Sequence, residues 1–193
     1  MTLNVGYTWP DTTVLGPGHR YVIWLQGCRR RCFRCTSPDL QPLEGGREMP
    51  VETLADDICG TADIGGLTIS GGEPLLQAEA LMELLTLVLR RRPELTVILF
   101  TGFRLEQIEE SVESTVLSKV DLLIDGEYID DRNRSDIGLR GSDNQQFYFL
   151  TDRLLPDMEE ITKGARRREM HMIGEYELLT IGIAPRRTPP ILN

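Results

Sequence analysis

Short apolar segments alternate with helix-patterned ones along this chain, and four of the apolar segments run into glycine. Arg20-Tyr-Val-Ile-Trp-Leu25 leads to Gly27-Cys28, and Leu67-Thr-Ile69 lies between Gly65-Gly66 and Gly71-Gly72. Thr96-Val-Ile-Leu-Phe100 precedes Thr101-Gly102, and Asp121-Leu-Leu-Ile-Asp125 precedes Gly126. Between them, Val51, Leu54 and Ile58 recur at helical spacing after Pro50. Leu76 to Arg92 reads as a strongly apolar helix stopped by Pro93, and Leu105, Ile108 and Val112 mark a further amphipathic helix. Continuous apolar strands separated by helices indicate parallel strands covered by helices. With further strands expected at Phe147–Leu150 and Leu178–Ile181, the sheet should hold about six strands, open or closed as part of a barrel. Chemistry in such folds sits at the C-terminal strand ends, so the four glycine-bearing ends should meet on one face. Asp125 to Gln146 reads as a long polar loop. The domain is expected to occupy residues 1–183, with 184–193, which carry Pro185, Pro189 and Pro190, as a loose tail.

With 193 residues, 40% hydrophobic and 26% charged, the chain can bury a core without staples. No apolar run is long enough to span a bilayer, and Met1-Thr-Leu-Asn-Val has no basic-then-apolar pattern, so the expectation is a soluble, cytoplasmic protein with no membrane partner. A net charge of −9 argues against general nucleic-acid binding, which needs a basic face. Three arginine runs stand out against that charge. Arg90 to Arg92 closes a helix and offsets its dipole, Arg166 to Arg168 reads as a solvated face, and Arg29 to Arg31 lies inside a cysteine loop.

Three of the four cysteines, Cys28, Cys32 and Cys35, fall within eight residues in a C-x3-C-x2-C pattern. A disulfide framework would spread its cysteines, so this cluster reads as a metal site. Three thiolates on one short loop can each reach a different iron of a cubane cluster, leaving one iron open. Arg29, Arg30 and Arg31 would offset cluster charge and support a low thiolate pKa. A structural zinc site would need a fourth ligand, such as His19 or Cys59, and an electron carrier of the ferredoxin kind would need a fourth cysteine. Cys59, inside an expected helix, reads as a small core residue.

The residues Cys28-Arg-Arg-Arg-Cys32-Phe-Arg-Cys35, with Gly71-Gly72-Glu73-Pro74 after the next strand, resemble the radical S-adenosylmethionine enzymes. Their hallmark is C-x3-C-x-aromatic-C. Here the aromatic Phe33 follows the second cysteine and Arg34 precedes the third, so the backbone contact to adenine falls on one of these two. A narrower resemblance, to the glycyl-radical-enzyme activating enzymes, rests on Gly16-Pro-Gly-His-Arg20 and Phe100-Thr-Gly-Phe103. Leu123-Ile-Asp-Gly-Glu-Tyr-Ile129 and Arg140-Gly-Ser-Asp-Asn-Gln145 are similar to the closing stretch of the anaerobic ribonucleotide reductase type.

The resemblance implies one 4Fe–4S cluster held by Cys28, Cys32 and Cys35, and S-adenosylmethionine as second cofactor. The cofactor is reductively cleaved to a 5′-deoxyadenosyl radical that abstracts a hydrogen atom. Gly71 and Gly72 would let backbone approach the methionyl amino group, Glu73 would help hold that ammonium directly or through local backbone, and Pro74 would fix the turn. Thr101 and Gly102 would line the ligand. Asp125 would accept ribose hydroxyls or cap the next turn, and Arg140 would meet a carboxylate or form a surface salt bridge. His19 and His171 are assigned packing or surface roles. The expected fold is then α/β: one domain forming a partial (β/α)6 barrel of mostly parallel strands, with cluster and cofactor at the C-terminal strand ends.

Three tasks fit. The first is an activase that takes a hydrogen atom from a glycine of a partner glycyl radical enzyme, with flavodoxin or ferredoxin as electron donor. The second is the same radical chemistry on a small molecule of the deazapurine type or on a ribosomal peptide. The third is an iron–sulfur or zinc binding module without catalysis. The small size favours the activase, as does a charged, mobile rim expected around Asp130, Asp131, Arg132 and Arg134, better suited to docking a protein than to enclosing a small molecule.

Overall fold

A computed structural model of the chain describes residues 1–109, 114–173 and 177–184. Its centre is a seven-stranded sheet. The strands are β1 (Thr2–Thr12), β2 (Arg20–Leu25), β3 (Arg47–Pro50), β4 (Gly66–Gly71), β5 (Thr96–Phe100), β6 (Leu122–Asp125) and β7 (Gln146–Phe149), in the order β3-β1-β2-β4-β5-β6-β7. β2, β4, β5 and β6 run parallel, whereas β1, β3 and β7 pair antiparallel at the flanks. The architecture is therefore a mixed α/β domain with a mostly parallel centre. Six parallel β/α units are not formed: among the described residues the parallel run stops at four strands, and the terminal strands β3 and β7 do not pair with each other.

The parallel strands are apolar on both faces, and the two faces bury different partners. Ile23, Leu67, Ile69, Val97, Leu99 and Leu123 pack with α1 (Val51–Gly60) and α2 (Ala78–Arg91) through Leu54, Ile58, Leu81, Leu84 and Leu85. The short helices α3 (Leu105–Glu109) and α4 (Ser114–Leu117) join that layer through Ile108 and Val116. Val22, Ile98, Leu122 and Ile124 alternate with the first set and meet Leu15, Leu139, Leu154 and Ile181 on the other face. That period of two is the strand signature. The second layer includes α5 (Met158–Thr162), through Ile161, and a hairpin of β8 (Glu169–Ile173) and β9 (Glu177–Ile181).

Expected helices and central strands fall where the pattern placed them. α1 begins right after Pro50, and α2 ends with Arg90 and Arg91 in its last turn, before Pro93. Val112 and nearly all of the 184–193 tail lie outside the described residues. Cys59 is half-buried against the helix-side core.

Expectations about the polar segments hold only in part. Between β6 and β7, Asp131, Arg132 and Arg134 are exposed and form a charged rim, whereas Asp130, Asn133, Ser142, Asn144 and Gln145 are buried. Gln145 braces the stretch, accepting from Gly141 N at 2.8 Å and Ser142 N at 3.1 Å and donating to Gly126 O at 2.8 Å. Among the described residues Arg140 forms no salt bridge. It donates to Ile137 O and Gln145 O and stacks on Phe147. Arg166 is half-buried and donates to Asn133 Oδ1, Arg134 O and Arg140 O, so its run is not simply a solvated face.

Arg20 closes the N-terminal end of the parallel strands. It is 1% exposed and, among the described residues, has no carboxylate bonded to it. Its guanidinium instead donates to Thr68 Oγ1, Thr96 Oγ1 and the carbonyls of Pro17, Leu67 and Thr96. Burial pushes its pKa down to about 9. The Gly16-to-Arg20 segment thus belongs to the closed base of the sheet, away from the glycine-bearing ends.

Candidate active site

The cysteine loop leaves the C-terminal end of β2 and is tied down on both sides. Gly27 N donates to Leu40 O and Cys28 N to Gln41 O, both at 2.9 Å. Within the loop, Cys35 N bonds Cys32 O at 3.2 Å, Arg30 N reaches Cys28 Sγ at 3.5 Å and Ser37 N reaches Cys35 Sγ at 3.4 Å. Arg31 and Arg34 both sit at φ 52°, a left-handed conformation uncommon outside glycine and often found at functional sites. Winding the loop this tightly brings Cys28, Cys32 and Cys35 to one cavity of about 150 Å³, while Arg29, Arg31 and Phe33 stay exposed.

The next strand end supplies the cavity's second wall. Gly71 adopts φ 116°, and a Cβ there would come within 3.0 Å of Leu25 backbone atoms. Gly72 is tighter: its Cβ would come within 3.0 Å of Gly27 O, Gly27 C and Leu40 O. Gly72 N donates to Leu25 O at 2.7 Å and Glu73 N to Gly27 O at 2.8 Å. The glycines therefore seat the cysteine loop against β4, beyond any cofactor contact. Glu73 is 2% exposed and already engaged. Its Oε1 accepts from Thr101 Oγ1 at 2.7 Å and Leu75 N at 3.2 Å, and its Oε2 from Gly102 N at 2.8 Å. It clamps the end of β4 to the end of β5. Burial pushes its pKa up against those three donors.

Of the residues singled out in the sequence, Cys28, Cys32, Cys35, Gly71, Gly72, Glu73, Thr101 and Gly102 all border the one cavity. Phe33, Arg34, Pro74 and Asp125 do not. Phe33 is 76% exposed, with the Arg34 guanidinium over its ring and the same guanidinium 3.4 Å from Asp130. Pro74 is buried at the start of a 3-10 turn. Asp125 is wholly buried and accepts from Leu105 N at 2.7 Å and Gln146 N at 3.3 Å, so it caps α3 and seats β7. His19 bonds Asp11 at the surface and His171 stacks on Trp9. The pattern had not marked Trp24, Phe100, Tyr128 and Ile183 as lining, although Phe100 and Tyr128 lie inside stretches whose resemblance was noted. Only their place at or just beyond strand ends would have revealed them.

At Cys28 burial outweighs the Arg30 and Arg31 backbone N–H groups, so neither Cys28 nor Cys32 shows the lowered thiol pKa expected. Burial, then Glu73 and Cys35, raises the pKa of Cys28, and burial, then Glu127 and Cys35, pushes Cys32 up to about 11. The arginines are occupied elsewhere or exposed: Arg30 lies 4.4 Å over Phe103 and 3.9 Å from Glu73. Iron would displace protons from these thiols on binding.

The donor set fits an iron–sulfur cluster. Three unbridged thiols border a common space, and neither His19 nor Cys59 reaches it as a fourth ligand. Among the described residues no three His, Cys, Asp or Glu side chains are set to hold a single ion. A cubane, which spreads its ligands over several irons, matches this arrangement better than one tetrahedral zinc.

Comparison with known proteins agrees. Residues 14–148 match the family model described as "4Fe-4S single cluster domain". The chain is 32% identical over 155 residues to the anaerobic ribonucleoside-triphosphate reductase-activating protein of Enterobacteria phage T4, covering 78% of this chain and 96% of that protein. It is 29% identical over 155 residues to the protein of the same name from Vibrio cholerae, covering 77% and 99%. It is also 40% identical over 80 residues to the pyruvate formate-lyase-activating enzyme of Listeria monocytogenes, covering 39% of this chain and 32% of that protein.

Proposed function

The chain belongs to the 4Fe-4S single-cluster family that includes the anaerobic ribonucleoside-triphosphate reductase-activating proteins, and we propose that it is a radical S-adenosylmethionine activase acting on a glycine of a partner glycyl radical enzyme. The observation that carries this reading is convergence. Three thiols, the Gly71–Glu73 turn and Thr101–Gly102 come from three adjacent parallel strand ends and border one cavity.

Cys28, Cys32 and Cys35 would hold the cluster. Bound together, cluster and S-adenosylmethionine supply reductive cleavage of the sulfonium carbon–sulfur bond and the hydrogen-abstracting power that follows. The carboxylate of Glu73 is spent on Thr101, Leu75 and Gly102, so backbone around Gly71 and Gly72 is the better candidate to receive the methionyl amino group. Leu15, Trp24, Phe100 and Ile183 give the cavity an apolar side that keeps water from a reactive species. An incomplete barrel, as the resemblance implies, would leave the strand-end face open to a loop of the partner. Flavodoxin or ferredoxin is the proposed electron donor and the cytoplasm the proposed setting. No helix among the described residues is long and apolar enough to cross a membrane.

The test is anaerobic reconstitution with iron and sulfide, then reductant and S-adenosylmethionine, with 5′-deoxyadenosine as the first readout. Adding the glycyl radical enzyme encoded nearest the gene should yield a glycyl doublet by electron paramagnetic resonance that disappears in Cys32→Ala. Turnover of a free small molecule, with no protein-borne radical on that partner, would overturn the reading.

A further inference from the structure

The arginine run inside the cysteine loop serves neither the cavity nor the thiols through its side chains. Arg29, Arg31 and Phe33 are exposed, Phe33 by 76%, and none of them borders the cavity that Cys28, Cys32 and Cys35 share. The loop's other two arginines are engaged, Arg30 at 3.9 Å from Glu73 and Arg34 at 3.4 Å from Asp130. Among the described residues Arg29 and Arg31 have no such partner. The three exposed residues alternate along the loop, so neighbours among them lie within about 7 Å at Cα. Each is next in sequence to a thiol: Arg29 to Cys28, and Arg31 and Phe33 to Cys32. The outer side of the loop is thus a small cationic face with an aromatic ring on it, one residue away from two of the expected iron ligands.

A site of this kind receives two visitors with different needs. The target's reacting C–H bond must enter the cavity. The reductant must leave the cavity free and only bring its redox centre close to the irons, because electron transfer falls steeply with distance. A face that flanks the thiols without lining the cavity meets the second need. Its charge then selects the visitor. Arginines and aromatics are the residues enriched at interface centres, and complementary charge steers encounter and fixes register. The chain's net charge of −9 repels an acidic protein from afar, so a local cationic face sets the side on which such a protein lands. Phe33 narrows the choice further: a flavin carrier presents a planar, apolar ring edge that an exposed aromatic can contact.

We propose that Arg29, Arg31 and Phe33 form the docking face for an acidic flavin-bearing electron carrier of the flavodoxin class. This rests on the reading of the loop as an iron–sulfur site reduced from outside. The transfer is of one electron: the carrier's flavin is oxidised by one, the cluster is reduced by one, and no bond forms or breaks.

The test titrates dye-labelled, oxidised flavodoxin and ferredoxin from the same genome against the iron-loaded chain, anaerobically, by fluorescence anisotropy. Flavodoxin should bind the wild type, and more weakly as salt rises from about 50 to about 500 mM. Arg29→Gln/Arg31→Gln should weaken it about tenfold at low salt and flatten the salt dependence. Phe33→Ser should weaken flavodoxin while keeping the salt dependence. Arg29→Gln alone, at a residue outside the left-handed region, serves should the double variant load iron poorly. The control is Arg90→Gln/Arg91→Gln, which removes the same two charges. α2 runs back from the glycine-bearing end of β4 toward the start of β5, so these exposed arginines sit at the opposite end of the sheet, and affinity should stay at the wild-type value. No flavodoxin binding, a preference for ferredoxin, wild-type affinity in the loop variants, or equal weakening by both arginine pairs would each overturn the docking face. Glycyl radical formation is then driven by light and 5-deazariboflavin, an uncharged reductant that needs no docking. The doublet should form normally in Arg29→Gln/Arg31→Gln. Its loss there, with flavodoxin affinity unchanged, would give the face to the glycyl radical enzyme instead. A doublet missing from the wild type as well sinks the activase reading and leaves the flavodoxin titrations to decide this inference by themselves.

Discussion

Replacing Gly72 by alanine should disable the protein through its fold before any cofactor is involved. The added methyl group would come within 3.0 Å of Gly27 O, Gly27 C and Leu40 O, all backbone atoms with no side-chain rotation to relieve them. Relief requires β4 and the cysteine loop to separate, which strains the bonds from Gly72 N to Leu25 O and Glu73 N to Gly27 O. Overpacking costs about 1–3 kcal/mol and two net hydrogen bonds about 1 kcal/mol each, so about 3–5 kcal/mol is at stake. That is a large share of the ~5–15 kcal/mol that holds a domain together. For a chain of this length the melting temperature of the iron-free protein should fall by roughly 6–20 °C. Iron content after reconstitution should fall with it, because the displaced backbone carries Cys28. Gly102→Ala is the control: there the methyl meets the flexible Arg30 side chain, so the cost should stay near about 1 kcal/mol. A Gly72→Ala protein that melts within about 2 °C of wild type and loads its full iron would refute the packing argument. In that case the segment would act only by contacting the cofactor.

Other outcomes follow from the same geometry. Cys28→Ala, Cys32→Ala and Cys35→Ala should each abolish stable iron loading, measured as iron and sulfide per chain, while Cys59→Ala on α1 loads normally; a loss confined to Cys59 would contradict the site. Arg20→Met should destabilise by about 2–4 kcal/mol, read by denaturant unfolding, because it strips donors from five acceptors, two of them buried and three part-buried; no change in midpoint would show they find others. Glu169 accepts from Thr12 Oγ1, Thr13 N, Thr13 Oγ1 and His171, and these bonds outweigh partial burial to hold its pKa below the ordinary 4.5. A depressed carboxylate stabilises above that value and loses its contribution as pH falls, so the protection factors of the β8–β9 amides, corrected for intrinsic exchange, should drop when the pH is taken from neutral to well below about 4.5. Equal protection at both ends, or unchanged exchange in Glu169→Gln at neutral pH, would dismiss the latch.

The parallel centre of the sheet was legible because its strands are apolar on both faces and its helices carry a clean period. β1 was not. It is the longest strand, yet its exposed and buried positions mix polar and apolar residues, it contains Gly6 and Pro10, and its pairing with β2 is interrupted by bulges. The cysteines, the paired glycines and Thr101–Gly102 were legible as a site because each follows a recognisable strand. Asp125 carried the same positional signal and turned out to serve backbone amides, since sequence alone does not say which donors reach a buried carboxylate first. The polar loop misled in part for a related reason: Ser142, Asn144 and Gln145 look solvent-seeking as letters, but they are buried with their side chains bonded to the backbone of Ile129, Glu127 and Gly126.

The cavity draws its lining from Leu15 near one end of the chain and from Gly182 and Ile183 near the other. The hairpin that delivers the last two is tied to β1 by Glu169, more than 150 residues away from Thr12 and Thr13. A nascent chain can therefore wind the cysteine loop and pair the central strands long before the pocket has its final wall. Any cluster inserted during synthesis would meet a half-built, wetter chamber than the finished protein offers, and oxygen would share the opening. Because Gly182 and Ile183 follow the thiols in the chain, the cavity has its full lining only once the β8–β9 hairpin has formed.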